Sequence, residues 1–220
     1  MSKRVGVLLS GCGVMDGSEI HEAVLTLLAI DKAGATAVCM APNADQMHVV
    51  NHATGQPAKG ERRNMLEEAA RIARGQIRDV ATVKAADLEA LALPGGYGAA
   101  KNLCTYAVDG VNCKVNPDVA RLVREMRAAG KPIAAICIAP VPLTKILGKD
   151  APVTVTIGTD AATANDIRQL GGVHVNCQVK DCVVDKANKL VTTPAYMLGQ
   201  SIGEVAAGIE KAIRVLVEMA

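Results

Sequence analysis

Gly130-Lys131-Pro132-Ile133-Ala134-Ala135-Ile136-Cys137-Ile138-Ala139-Pro140 is the stretch on which the reading of this chain turns. Residues 133–136 form an unbroken apolar run, as in a strand buried on both faces of a parallel sheet. Pro140 and Pro142 follow, and proline is accepted in a helix only within its first turn. A short helix must therefore start close behind Cys137 and stop at Gly148. So direct a passage from strand to helix projects the Cys137 side chain from the carboxyl edge of the sheet. It also places the sulfur at the positive end of a helix, where a thiolate is stabilised and its pKa should fall. The competing view is that Cys137 is a small buried hydrophobe, which is a common fate of cysteine.

The same alternation extends outward in both directions. Residues 3–10 read as a buried strand, followed by the glycine-rich turn Gly11-Cys12-Gly13-Val14-Met15-Asp16-Gly17. A helix is expected over 18–33, capped by Ser18 or Asp16, with Ile20, Val24, Leu27 and Leu28 as its apolar stripe and Gly34 as its stop. Residues 36–40 read as a strand, 49–54 as a short strand, 64–74 as a helix, and 88–93 as an apolar run into Pro94-Gly95-Gly96-Tyr97-Gly98. A helix over 117–129 precedes the central stretch. Strands over 153–157, 181–184 and 190–193 and helices over 160–170 and 199–219 complete the chain. Strands alternating with helices predict a doubly wound, mostly parallel α/β sheet with helices on both faces, of flavodoxin-like type. No repeat or linker divides the sequence, so residues 1–220 are expected to form a single domain.

Composition narrows the function. Half of the 220 residues are hydrophobic, yet Phe and Trp are absent and there are only three Tyr, so the core must be aliphatic. A net charge of +2 and almost no stacking platforms exclude nucleic acid as an expected partner. No segment approaches the roughly 18 to 20 apolar residues that span a bilayer, and the N-terminal run lacks the features of a signal peptide. The expected location is the cytoplasm. Seven cysteines in no regular framework point to free thiols, and the four histidines do not join them at zinc-ligand spacing, so no metal is expected.

Gly11-x-Gly13-x-x-x-Gly17 places its third glycine one residue too far for a dinucleotide fingerprint, and no acidic residue ends the second strand. The loop is expected to shape a pocket rim instead. Gly95 and Gly96 suit backbone N–H groups turned toward a developing oxyanion, although an ordinary strand-to-helix turn needs the same residues. Glu19, His21 and Glu22 would, by themselves, be a solvated first helical turn.

Gly95-Gly96 after a strand, together with Ala135-Ile136-Cys137-Ile138-Ala139-Pro140, resembles the ThiJ/PfpI superfamily of flavodoxin-like, class I glutamine amidotransferase-like proteins. Leu9 to Gly13, Asp16 to Val24, Asn51 to Gly55, Pro94 to Leu103, Thr156 to Asp160 and Thr192 to Met197 are similar to its ElbB branch, which is glyoxalase-like and associated with isoprenoid biosynthesis. The resemblance implies Cys137 as nucleophile, Glu22 as its partner on the first helix, and the backbone at Gly96 and Ile138 as oxyanion donors beside Gly95. It implies a homodimer without a cofactor, acting on a small 2-oxoaldehyde such as glyoxal or methylglyoxal. Departures from the superfamily pattern are informative. Ile138 stands where hydrolytic members have histidine, and of the downstream histidine and glutamate of amidotransferases only His174 is available, so peptidase and glutaminase activity are not expected. Residues 147–157 also lack the histidine that glyoxalase-like members often carry there, so glyoxalase turnover is expected to be slow. The rival expectation is a non-catalytic binding or redox-sensing protein with Cys137 as its reactive thiol.

Overall fold

The computed structural model describes residues 2–220. Its strands are β1 (Arg4–Leu8), β2 (Thr36–Ala41), β3 (Val50–Asn51), β4 (Gln56–Pro57), β5 (Ile77–Asp79), β6 (Ala90–Leu93), β7 (Ile133–Ile136), β8 (Val153–Val155), β9 (Gly172–His174), β10 (Val183–Asp185) and β11 (Leu190–Thr193). Its α-helices are α1 (Ile20–Lys32), α2 (Met65–Ile72), α3 (Tyr97–Lys101), α4 (Tyr106–Asp109), α5 (Pro117–Ala128), α6 (Pro140–Leu147), α7 (Ala161–Gln169) and α8 (Ile202–Met219). Seven strands form one sheet in the order β10-β11-β7-β6-β1-β2-β5. All neighbours in it run parallel except the edge pair β10–β11. This is the expected flavodoxin-like α/β architecture.

Alternation along the central strands divides the core into two layers. Leu91 and Leu93 of β6, with Ile133 and Ala135 of β7, pack against α5 and α6. Ala90, Ala92, Ala134 and Ile136 face the opposite layer, with α1 and α8. Large side chains thus fill one face, while alanines on the other let the helices approach closely. The β6 and β7 carboxyl ends emerge between the layers, so whatever follows Leu93 and Ile136 is delivered to a shared edge.

Three expectations are corrected. In α1, Ile20, Val24 and Leu28 are 43%, 47% and 46% exposed, whereas Glu22, Ala23, Thr26 and Ile30 point inward. The helix is apolar around most of its circumference, so periodicity alone does not choose the buried face. The cap of α1 is Glu19, whose carboxylate accepts the Glu22 N–H at 2.6 Å. Ser18 is instead fully buried and accepts the Ser10 N–H at 2.9 Å, and Asp16 accepts the Val50 N–H at 2.7 Å. Finally, β8 does not join the main sheet but pairs in parallel with β9. Among the described residues no helix is long and apolar enough to cross a membrane.

Candidate active site

The strand-to-helix turn takes the form expected of it. Cys137 directly follows β7 and has φ +62°, a left-handed conformation that costs a residue with a Cβ about 1–3 kcal/mol. The Cys137 N–H donates to Thr193 O at 2.9 Å, and the Ala139 N–H donates to Ile136 O at 3.0 Å. These bonds hold the turn and send the thiol out of the sheet edge. Cys137 is only 7% exposed.

Glu22 reaches the same point from the opposite side. It lies in the first turn of α1, is fully buried, and accepts a hydrogen bond from the Cys137 thiol. Its carboxylate also accepts the Gly95 N–H at 3.0 Å and the Tyr196 N–H at 3.2 Å. A Cβ on Gly95 would stand 2.5 Å from both Cys137 Cβ and Glu22 Oε2. Only glycine leaves room for thiol and carboxylate to meet. Gly96 has φ +93°, and its N–H and that of Ile138 are directed at the Cys137 sulfur. Cys137, Glu22, Gly95, Gly96 and Ile138 therefore converge.

Electrostatics reverse one expectation. The Cys137 thiol is pushed well above its ordinary pKa, first by burial, then by the Glu22 charge and the hydrogen bond donated to it. The N–H groups of Gly96 and Ile138 pull the other way and are outweighed. The positive end of α6 does not win, because that helix begins three residues on and a carboxylate is in direct contact. Burial raises Glu22 to about 7, with Glu19 adding to the rise and the N–H groups of Tyr196 and Gly95 opposing it. The pair thus behaves as one unit that loses a proton near neutrality and keeps another between sulfur and carboxylate.

A cavity of about 420 Å³ opens onto Cys137, with Val14 of the glycine-rich loop at its rim as expected. Tyr97, Tyr106 and Tyr196 all line it. No role for them was read from the sequence; the available signal was that these are its sole aromatic residues. Tyr196 follows β11, and its hydroxyl pairs with His21 Nδ1 at 2.8 Å. None of the four histidines lines the cavity itself. His52 Nε2 accepts the Met15 N–H at 3.1 Å, and His174 Nε2 accepts the Ile157 N–H at 3.3 Å. All seven cysteines are free.

Comparison with known proteins extends this picture. The chain is 47% identical over 225 aligned residues to human glutamine amidotransferase-like class 1 domain-containing protein 3, mitochondrial, covering 98% of this chain and 83% of that protein. The chain belongs to the glutamine amidotransferase-like class 1 domain family. Within this family the similarity reaches a solved structure, an isoprenoid biosynthesis protein with amidotransferase-like domain from Ehrlichia chaffeensis. That protein is 40% identical, with a TM-score of 0.93 over 99% of both chains. Drosophila melanogaster DJ-1beta shares the fold at a TM-score of 0.57 and 21% identity, covering 96% of this chain and 87% of that one. No family model matches the sequence.

Proposed function

We propose that this chain is a cofactor-free, glutathione-independent glyoxalase of the ElbB branch, converting glyoxal to glycolate or methylglyoxal to lactate. The observation that carries the reading is the buried Cys137–Glu22 pair, with a proton to exchange near neutrality and two backbone N–H groups at the sulfur. In the singly deprotonated pair, Glu22 accepts the thiol proton as Cys137 Sγ adds to the aldehyde carbon. The N–H groups of Gly96 and Ile138 are placed to hold the oxyanion, which takes the proton back from Glu22 to give a hemithioacetal. Glu22 carboxylate next removes the proton from the former aldehyde carbon and returns it to the adjacent carbon through an enediol. The product is a 2-hydroxyacyl thioester. Water cleaves it to the 2-hydroxy acid and restores the thiol.

Incubation with glyoxal and methylglyoxal, without glutathione or metal, tests the reading. Glycolate and lactate that vanish in Cys137→Ser are expected; no product above that control would end it. The rival redox-sensor reading, also centred on Cys137, requires that thiol to reach sulfenic or sulfinic acid first under mild peroxide, and mass spectrometry showing another cysteine oxidised first would count against it. The proposal extends to this chain the isoprenoid association carried by the Ehrlichia protein's name. It includes a homodimer, to be weighed by light scattering, where a single-chain mass would exclude it. It also includes cytoplasmic residence, supported by seven free thiols. The human relative is by name mitochondrial, and fractionation of the source cells decides between the two compartments.

A further inference from the structure

We infer that the cavity above Cys137 selects neutral aldehydes bearing a bulky apolar group, aromatic or branched, over small or carboxylate-bearing ones. The inference rests on the glyoxalase reading for its chemistry and on the cavity for its selectivity. A chain without Phe or Trp has placed all three of its tyrosines around one cavity. Two of their hydroxyls are already engaged: Tyr106 donates to Asp166 at 2.6 Å, and Tyr196 pairs with His21 at 2.8 Å. With those polar tips held by protein partners, the rings are left to offer apolar surface, joined by Ile138 and Met197.

Charge points the same way. No Lys, Arg or His lines the cavity, whereas Glu19 does. The nearby Lys101 ammonium lies 5.2 Å from the Tyr97 ring centre and donates to Met15 O at 3.0 Å. A carboxylate entering here would lose water, find no cationic partner and meet the charge of Glu19. Size completes the argument. At about 420 Å³ the cavity falls within the roughly 300–1,000 Å³ of sites that enclose drug-sized ligands. Methylglyoxal, with one methyl beyond its carbonyls, leaves most of that apolar wall untouched.

Two measurements test this. The first compares kcat/KM for phenylglyoxal, methylglyoxal and 4,5-dioxopentanoate, a 2-oxoaldehyde carrying a carboxylate. Phenylglyoxal is expected to lead methylglyoxal by at least about tenfold, the scale on which apolar pockets discriminate, with the anionic aldehyde last. Tyr106→Phe should keep that preference and Tyr106→Ala should reduce it. Methylglyoxal equal to or ahead of phenylglyoxal would overturn the selectivity. The second measurement titrates Cys137→Ala with acetophenone and with pyruvate by calorimetry, so that binding is read without turnover. Acetophenone binding without pyruvate binding is expected. Binding of pyruvate, or of neither compound, would overturn the inference. Should acetophenone bind while no aldehyde is turned over by the unmodified protein, the glyoxalase reading falls and the cavity's ligand preference stands.

Discussion

Cys137 and Cys113 are both nearly sealed from solvent, at 7% and 2% exposure, yet their thiols are displaced in opposite directions. Cys113 is drawn downward, chiefly by its pairing with the Cys104 sulfur and, after the opposing effect of burial, by the charge of Lys145. Cys104, whose thiol donates to Ala99 O at 3.4 Å, is displaced upward. Cys137 donates its own hydrogen to Glu22 and is driven up by it. Burial penalises the anion at both sites, so the neighbours decide the sign: the Lys145 cation favours thiolate at Cys113, whereas the Glu22 carboxylate holds the thiol at Cys137. What distinguishes Cys137 is a base in contact, an elbow that presents the sulfur to a cavity, and backbone N–H groups beside it. Cys113 also lines a cavity and has its own backbone N–H at the sulfur, but it lacks the contacting base and the strand-to-helix elbow.

The largest effect that sharpens this contrast is on turnover. Cys137→Ser is expected to lower glyoxalase kcat by at least about a thousandfold, while Cys113→Ser leaves it unchanged in the same assay. Equal losses in both variants would erase the distinction. Glu22→Gln comes next, with a fall in kcat of about 10²–10⁴, the usual contribution of a positioned general base. In the unmodified protein, kcat/KM should rise with pH through about 7, as the pair loses its first proton. A rate that declines over that interval would show that the fully protonated pair is the active form.

Stability carries the next prediction. Glu22 has its folded pKa raised from 4.5 to about 7, so its protonated form favours the folded state. The stabilising contribution is complete below about 4.5 and is lost as pH rises to about 7, an overall decline of about 3 kcal/mol. Urea unfolding across that window should show this decline in the unmodified protein and not in Glu22→Gln. Gly95→Ala is expected to cost about 1–3 kcal/mol through crowding, because its methyl would meet Cys137 and Glu22 at 2.5 Å. Equilibrium unfolding measures it; an unchanged midpoint would mean that the two side chains part without cost. The smallest effect concerns alkylation rates. Iodoacetamide at pH 7.5, followed by peptide mass spectrometry, should label the part-exposed Cys12 and Cys182 ahead of Cys137, whose buried thiol is held protonated. Labelling of Cys137 first would reverse the ranking drawn above.

Much of this molecule was legible along the chain. Ile133 to Ile136 could be little other than a buried central strand, and Pro140 with Pro142 dated the start of α6. That combination located the Cys137 turn. The short elements were not legible: β5 at the sheet edge and β9 beside β8 have three residues each, too few for a period to show. The outward stripe Ile20, Val24 and Leu28 was likewise hidden, since α1 is apolar on several sides and only packing selects one.

The sequence by itself determined a parallel α/β sheet, an aliphatic core and a cysteine delivered to the carboxyl edge, because these depend on local runs of residue type. Tertiary structure alone decided that Glu22, Gly95 and Tyr196, distant in the chain, would close around that cysteine, and that the three tyrosines would share its cavity. It also decided the direction of the Cys137 pKa. A helix start can be read from neighbouring residues, but desolvation and a contacting charge come from across the fold, and in a buried site they are the larger forces.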